Sequence, residues 1–346
     1  MKIDYSKSLD DIAPEKMSRL APGVEKYLNQ VNTARYLLNL PQRKICVLCG
    51  RGLDDGARFT HRSLPFIRCR YCSHIQSLGH PPDDYPRCIS SDHEFRHVYQ
   101  RLSQEAYEDR KKRVYRPKLT WIQDSLHEKG YRDESLRSAA WVEFGCGAGY
   151  FISCLHEEGM RNCQGLDADQ HLVEIGQSFT PNGIFHHYTG TLTEALSEYP
   201  AEIYTAFFVL EHIHDLHDFF LQLGSLPAGT IFIFSVPVFG LSCLLENVFE
   251  KHYARNLDGV FHTQIFTDES IAYGLKVANF SMVAKWIFGQ DAEDFHRFLY
   301  QNLIEKYPSE LFELVNKQLA ALQNPLQSIL DKNGLSDQRH IIAIKN

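Results

Sequence analysis

The stretch Val142-Glu143-Phe144-Gly145-Cys146-Gly147-Ala148-Gly149-Tyr150 decides how the rest of the chain is read. An apolar run, 139–144, enters it and a helical pattern, 150–158, leaves it. Glycines at such a strand-to-helix turn let a ligand approach the backbone and place its polar groups near a helix N-terminus. The dinucleotide fingerprint needs Gly or Ala where this chain has Tyr150. The pattern is instead E-x-G-x-G-x-G. Asp167 stands 22 residues beyond Gly145, at the end of the next apolar run, 163–166. A carboxylate at that place can accept hydrogen bonds from both hydroxyls of a ribose.

Downstream the rhythm alternates. Strands are predicted at 184–188, 202–210, 230–236, 280–287 and 340–344. Helices are predicted at 169–179, 216–223, 268–277, 291–307 and 309–322. Alternation of this kind predicts an α/β fold, a parallel sheet with helices on both faces. Upstream, residues 1–45 read as helical and peripheral, with apolar positions Val24, Tyr27, Leu28, Val31, Ala34, Leu37 and Leu38 at helical spacing before Pro41. A second helical stretch, 92–137, carries Tyr99, Leu102, Ala106, Leu119, Ile122 and Leu126. Within it lie Arg110-Lys111-Lys112-Arg113, Tyr115, Arg116 and Lys118, read as a solvated face or as a seat for an anionic substrate.

Between these helices, residues 46–90 hold five of the nine cysteines and little that would make a core. Cys46-Val-Leu-Cys49 and Cys69-Arg-Tyr-Cys72 are separated by residues 50–68, the spacing of a four-thiolate zinc ribbon. Each CxxC turn spans two corners of a tetrahedron, and four thiolates close a structural site. Gly50 supplies the positive φ such a turn requires. Cys88, His61, His74 and His80 are nearby alternative ligands.

Further on, Phe207-Phe208-Val209-Leu210-Glu211-His212-Ile213-His214-Asp215 ends a predicted strand. Leu226-Pro-Ala-Gly229 leads into a strand stopped by Pro237. From 139 to 237 the chain resembles the class I S-adenosylmethionine-dependent methyltransferases. Their motifs run E-x-G-C-G-x-G, an acid after the second strand, L-E-H-I-x-D, P-x-G, and a strand ending in V-P. The resemblance implies a Rossmann-like seven-stranded sheet. It implies cofactor contacts from Glu143, Gly145, Cys146, Gly147, Asp167, Ala168, Leu192 and Val209. Glu143 would lie near the methionyl amino group, Asp167 on the ribose and Leu192 near adenine. Over about 45–345 the layout is similar to methyltransferases with an N-terminal zinc ribbon in bacterial polysaccharide and modified-sugar pathways. The shared features are the ribbon, the Tyr/Arg-rich helix, His262-Thr-Gln-Ile-Phe266-Thr267 and Trp286-Ile-Phe-Gly-Gln-Asp291. The large C-terminal domain of some sugar C-methyltransferases has no counterpart here.

Four parts are thus expected: a helical segment 1–45, a zinc ribbon 46–90, a helical connector and lid 91–138, and the methyltransferase domain 139–346. His212 is the leading catalytic candidate, because it follows the fourth sheet strand and an imidazole suits proton removal near neutrality. Glu211 and His262 accompany it. Tyr115 and His214 are candidates for the substrate side. The cofactors expected are S-adenosylmethionine and a structural Zn2+, and the acceptor expected is a small molecule or glycan precursor. An RNA acceptor gripped by the ribbon is the alternative. The net charge of −7 and the lack of an N/D-P-P-[YF] loop weigh against it. No run approaches the length of a membrane helix and Met1 to Asp11 lacks the apolar core of a signal peptide, so a cytoplasmic protein is expected. The oligomeric state is left open by the sequence.

Structural zinc supplies folding free energy. Cys69→Ser is therefore expected to lower bound zinc by one equivalent per chain and to reduce thermal stability. Elemental analysis giving equal zinc in both proteins would refute the ribbon.

Overall fold

The computed structural model describes residues 1–12, 24–79, 103–180, 183–257, 259, 262–304 and 306–346. Cys88, His80 and the first part of the predicted 92–137 helix lie outside them. Twelve strands are described: β1 Lys2–Tyr5, β2 Ala57–His61, β3 Leu64–Arg68, β4 Ile75–Ser77, β5 Trp141–Phe144, β6 Cys163–Asp167, β7 Phe185–His187, β8 Ile203–Phe207, β9 Ile231–Pro237, β10 Gln264–Ile265, β11 Phe280–Ile287 and β12 Gln338–Lys345. The main sheet has the order β1-β11-β12-β9-β8-β5-β6-β7. Strands β5 to β9 run parallel, while β12 is antiparallel to both β9 and β11.

Every residue of β9 is buried, as expected of a strand covered on both faces. Its side chains divide by parity. Phe232, Phe234 and Val236 join Phe144, Ala206 and Phe219 in one core. Ile231 and Ile233 join Trp141, Phe151, Ile203 and Ile342 in the other. The α/β architecture is as predicted, with one addition. Residues 1–45 are not wholly peripheral, because Lys2–Tyr5 adds an eighth strand parallel to β11, with Lys2 opposite Ala284. Four residues at an edge, alternately half-buried and exposed, are too few to show a period. Tertiary contacts hold them: Trp121 Nε1 donates to Asp4 Oδ2 at 3.0 Å and Ser6 N to the Ile287 carbonyl at 2.9 Å.

The predicted strand 202–210 is also cut short. Phe208 adopts φ +58°, a left-handed conformation costly for an aromatic residue. The strand ends there and Leu210–His212 forms a 3-10 turn.

The small sheet, in the order β10-β4-β3-β2, forms the ribbon. Its hairpin turns at Arg62 and Ser63, both with positive φ, the backbone that matches strand twist in a two-residue turn. The edge strand β10 comes from residues 264–265, far outside 46–90, and pairs antiparallel with β4. Cys46, Cys49, Cys69 and Cys72 share a core with Phe144, Phe219 and Phe234. The ribbon is therefore built into the larger domain rather than tethered to it.

Towards the C-terminus, helix Asp291–Leu303 and helix Ser309–Lys332 pack together. The second runs past the predicted end at 322 and through Pro325, because Gln323, Gln327 and Asp331 continue its buried face as a polar one. Among the described residues, no helix is long and apolar enough to cross a membrane.

A buried ion network ties this region down. Asp294 accepts from Arg255 Nη2 at 2.6 Å and from Arg297 Nη2 at 2.9 Å. Burial alone would raise the Asp294 carboxyl, but the two guanidinium groups hold it down to about 2. A depressed carboxyl stabilises the fold above its unfolded pKa, near 3.9, and the contribution is lost as pH falls through the folded value. Asp294→Ala is expected to cost about 3–5 kcal/mol near neutral pH, because it strands the buried Arg297 and leaves Arg255 with Asp337 alone. In denaturant titrations, the gap from wild type should shrink as pH drops from about 4 to about 2.

Candidate functional site

The site lies where β5, β6, β8 and β9 end, the crevice side of an open α/β sheet. Gly145, Gly147 and Gly149 all have positive φ, but their surroundings differ. A Cβ on Gly145 would meet Val209 Cγ2 at 2.5 Å, and one on Gly149 would meet Phe185 at 2.2 Å. A Cβ on Gly147 would meet nothing within 4 Å. Two glycines are thus required by packing, and the middle one borders open space.

Asp167, at the end of β6, reaches back to this loop. Its Oδ2 accepts from Gly147 N at 2.7 Å and its Oδ1 from Asp169 N at 2.8 Å. Burial raises its carboxyl above the usual range, opposed by those two N–H groups. Each oxygen retains a lone pair for a further donor. Ala168 next to it is exposed, and its carbonyl accepts from His187 Nε2 at 3.1 Å. Cys146 is buried behind the loop, its N–H donating to the Leu166 carbonyl at 3.0 Å. Leu192 starts helix Leu192–Glu198 and packs on the core beside Tyr188.

Glu143 is buried, and its Oε2 has no hydrogen-bond partner. Burial pushes its carboxyl well up; the charge of Lys118 opposes this. Lys118 itself is 5% exposed. Its Nζ sits 4.0 Å from the Phe207 ring centre, 5.6 Å from that of Phe208 and 5.7 Å from that of Tyr115. Among the described residues no carboxylate lies within 4.0 Å of it. Burial, with the nearby charges of Lys7 and Arg110, pulls its amine down to about 7 while Glu143 opposes.

The solvated-face reading of the 110–118 run holds for Lys112 and Arg113, which are exposed, and is corrected at two positions. Lys111 is 1% exposed and pairs with Glu108 and Glu157, and Lys118 is buried under aromatic rings. Lys111 lies one turn after buried Tyr107; the reason at Lys118 is a turn of π-helix, Lys111–Tyr115. It rotates the succeeding turns of helix out of the 3.6-residue phase that the sequence pattern assumes. Tyr107, also absent from the sequence candidates, is fully buried and donates to the Ala148 carbonyl at 3.1 Å. Tyr107 and Tyr115 stack on Tyr150 at 4.5 and 5.2 Å. This column clamps the connector helix to the glycine loop. The aromatic enrichment of 104–115 beside a tyrosine at 150 was the one signal of it in the sequence.

The sequence candidates 211, 212 and 262 converge. One ligating atom from each of Glu211, His212 and His262 lies within 4.8 Å of the others. The two imidazole rings are 5.0 Å apart. Glu211 is 0% exposed and, among the described residues, neither carboxylate oxygen has a hydrogen-bond partner. Burial pushes its carboxyl up to about 8. His214, two residues on, faces the ribbon instead, its Nδ1 accepting from Arg43 Nη2 at 3.0 Å.

Gln264 sets the position of these groups. Its Nε2 donates to the Leu210 carbonyl at 2.9 Å and to that of Ile213, and its Oε1 accepts from His74 Nε2 at 2.8 Å. Residues 255–257 are fixed by Glu246, which accepts from the backbone N–H groups of Arg255, Asn256 and Leu257 at 2.7–2.9 Å.

In the ribbon, Cys46 Sγ lies 3.5 Å from Cys72 Sγ and Cys49 Sγ 3.6 Å from Cys69 Sγ. Tetrahedral zinc with bonds of about 2.3 Å separates its sulfurs by about 3.8 Å. Gly50 N donates to the Cys46 carbonyl and Ser73 N to the Cys69 carbonyl, both at 2.9 Å, closing two matching knuckles. Four thiols gathered in a dry core suit a cation that keeps them ionised. A cavity of about 440 Å³, bordered by Arg58, Arg68, Asp268 and Arg339, shares no lining residue with the glycine loop.

A family profile described as "Methyltransferase domain" matches residues 91–285. No curated protein matches the chain. Among solved structures, the chain is similar to a SAM-dependent methyltransferase from Archaeoglobus fulgidus, at 15% identity and TM-score 0.39 over 65% of this chain and 94% of that one. It is similar to a magnesium protoporphyrin IX methyltransferase from Synechocystis PCC 6803 with bound SAH, at 14% identity and TM-score 0.44 over 76% and 100%. A third, from Mesorhizobium loti, gives 14% and 0.39 over 63% and 95%.

Removing the Gln264 amide strands two buried carbonyls and His74. At about 1–3 kcal/mol for an unsatisfied buried group, Gln264→Leu is expected to lower the melting temperature by several degrees. Faster amide hydrogen exchange should be confined to 72–77 and 208–214. Exchange unchanged there would show that the bridge positions nothing.

Proposed function

The chain belongs to the methyltransferase-domain family, and from that premise we propose that this class I S-adenosylmethionine-dependent enzyme methylates a small-molecule or glycan-pathway acceptor. The observation that carries the cofactor assignment is the pair at the end of β5. Glu143 is a buried carboxyl with an unpartnered oxygen, and Lys118 is a buried amine with no carboxylate within ion-pair distance. Their charges couple. An amino-acid zwitterion brings an ammonium to the first and a carboxylate to the second, which offsets the cost of burying each. Gly147 leaves the backbone open beside them, and Asp167 has acceptor capacity for ribose hydroxyls. S-adenosylmethionine supplies a methyl group already activated on a sulfonium.

The protein's own part is alignment and proton handling. The Tyr107–Tyr150–Tyr115 column holds the connector over the loop, as a lid of the 91–138 segment would. Acceptor activation falls to Glu211, His212 and His262 together, where the sequence singled out His212. The aromatic rings of Phe207, Phe208, Phe288 and the buried His340 wall this end of the sheet. Such a wall suits a compact acceptor. The ribbon knuckles pack into the core rather than outward, which supports a bracing role for the zinc ribbon over a nucleic-acid grip.

Calorimetry with S-adenosylhomocysteine tests the cofactor site without the acceptor. Asp167→Ala is expected to weaken binding at least about tenfold, since a charge-assisted bond contributes about 1.5–3 kcal/mol. Asp167→Asn should cost less. Lys118→Met should also lose at least about tenfold, yet unfold no earlier than wild type, because a buried unpaired charge has been removed. Wild-type affinity in both alanine and methionine variants would place the cofactor elsewhere.

A further inference from the structure

We propose that Glu211, His212 and His262 form a binding site for a divalent first-row metal ion, which holds and acidifies an acceptor hydroxyl. The three ligating atoms lie within 4.8 Å of one another, close enough for bonds of about 2.0–2.2 Å to a shared ion after small side-chain movements. Two imidazoles and one carboxylate are the donor set of open metal sites, which keep positions for water or substrate. The second observation is Glu211. It is wholly buried, with both carboxylate oxygens lacking a hydrogen-bond partner among the described residues. A carboxylate in that state needs a proton or a cation. His212 and His262 are only partly buried, so the ion would be reached from the crevice and its remaining positions would face it.

The loop that carries two of the donors is already held. Leu210 and Ile213, on either side of Glu211 and His212, give their carbonyls to Gln264. The third donor, His262, lies two residues before Gln264 on the same segment. Such outer contacts fix ligand geometry at metal centres.

The role of this site rests on the methyl-transfer reading, although its existence does not. It narrows the acceptor to an alcohol or enol. The hydroxyl proton leaves to water, and the oxygen forms a bond to the methyl carbon. The methyl–sulfur bond breaks with its electron pair retained by sulfur. Atoms and charges balance without a redox partner.

Mn2+ is the probe, because it favours oxygen and nitrogen donors over the ribbon thiolates. Full-length protein with its ribbon zinc is titrated with Mn2+, followed by electron paramagnetic resonance and water-proton relaxation. The expected result is one Mn2+ per chain with exchangeable water. Glu211→Gln and His262→Asn should each weaken it at least about 100-fold, a loss beyond that of second-shell changes, with zinc content and S-adenosylhomocysteine affinity retained. Absence of Mn2+ and of a second zinc equivalent in wild type overturns the proposal. So does unchanged Mn2+ affinity in folded His262→Asn, whatever the fate of Glu211→Gln. Failure of wild type to bind S-adenosylhomocysteine, with Mn2+ still bound, refutes the methyl-transfer reading alone.

Discussion

Gln264 joins the ribbon to the loop that follows β8. It accepts from His74, next to the second cysteine knuckle, and donates to the carbonyls that flank Glu211 and His212. The residue is fully buried, so each of its amide groups must be matched. The bridge therefore works in both directions. The knuckle holds the loop after β8, and the loop completes the ribbon through β10. His217 adds to the same seam, its N–H donating to the Val47 carbonyl at 2.8 Å.

This packing sets the role of the four clustered cysteines. A ribbon on a linker adds a surface, whereas a ribbon whose thiols share a core with Phe144 and Phe234 adds rigidity. Its energetics are coupled to those of the loop that carries Glu211 and His212. The polar network of Glu246, Arg255, Asp294 and Asp337 plays the matching part on the other side, holding residues 255–257. Buried charges in both places are paired or capped by backbone N–H groups. Among the described residues, Glu143 Oε2 and both Glu211 oxygens have no hydrogen-bond partner and Lys118 has no carboxylate in ion-pair range, and all three lie where ligands are inferred to bind.

Phe208 shows how strain is used at this end of the sheet. Its positive φ ends β8 and turns its ring toward Lys118 and His340. Without that turn the chain would continue as strand, and Leu210–His212 would not form the short helix that sets Glu211 inward. Backbone strain of this kind persists only where the surroundings over-determine it.

The sequence by itself determined the class of the sheet, the glycine loop with its spaced acid Asp167, and the four cysteines, each carried by local grammar: an apolar run, a turn that needs glycine, a ligand spacing. Glu211, His212 and His262 were candidates in the sequence, but that they meet was decided by the tertiary structure, because about 50 residues separate the last from the other two. Residues 2–5 were illegible because a four-residue edge strand has too few alternations to show a period. The burial of Lys118 was hidden by the π-helical turn, which breaks the phase that periodicity relies on, and that of Lys111 by its dependence on Glu157, 46 residues away. Gln264 gave no local signal, since an amide's value lies wholly in partners 51, 54 and 190 positions away. Only the tertiary structure decided that the ribbon and the larger domain are one body, because strand pairing and core packing between distant segments follow from the closure of the fold and leave no pattern in either segment alone.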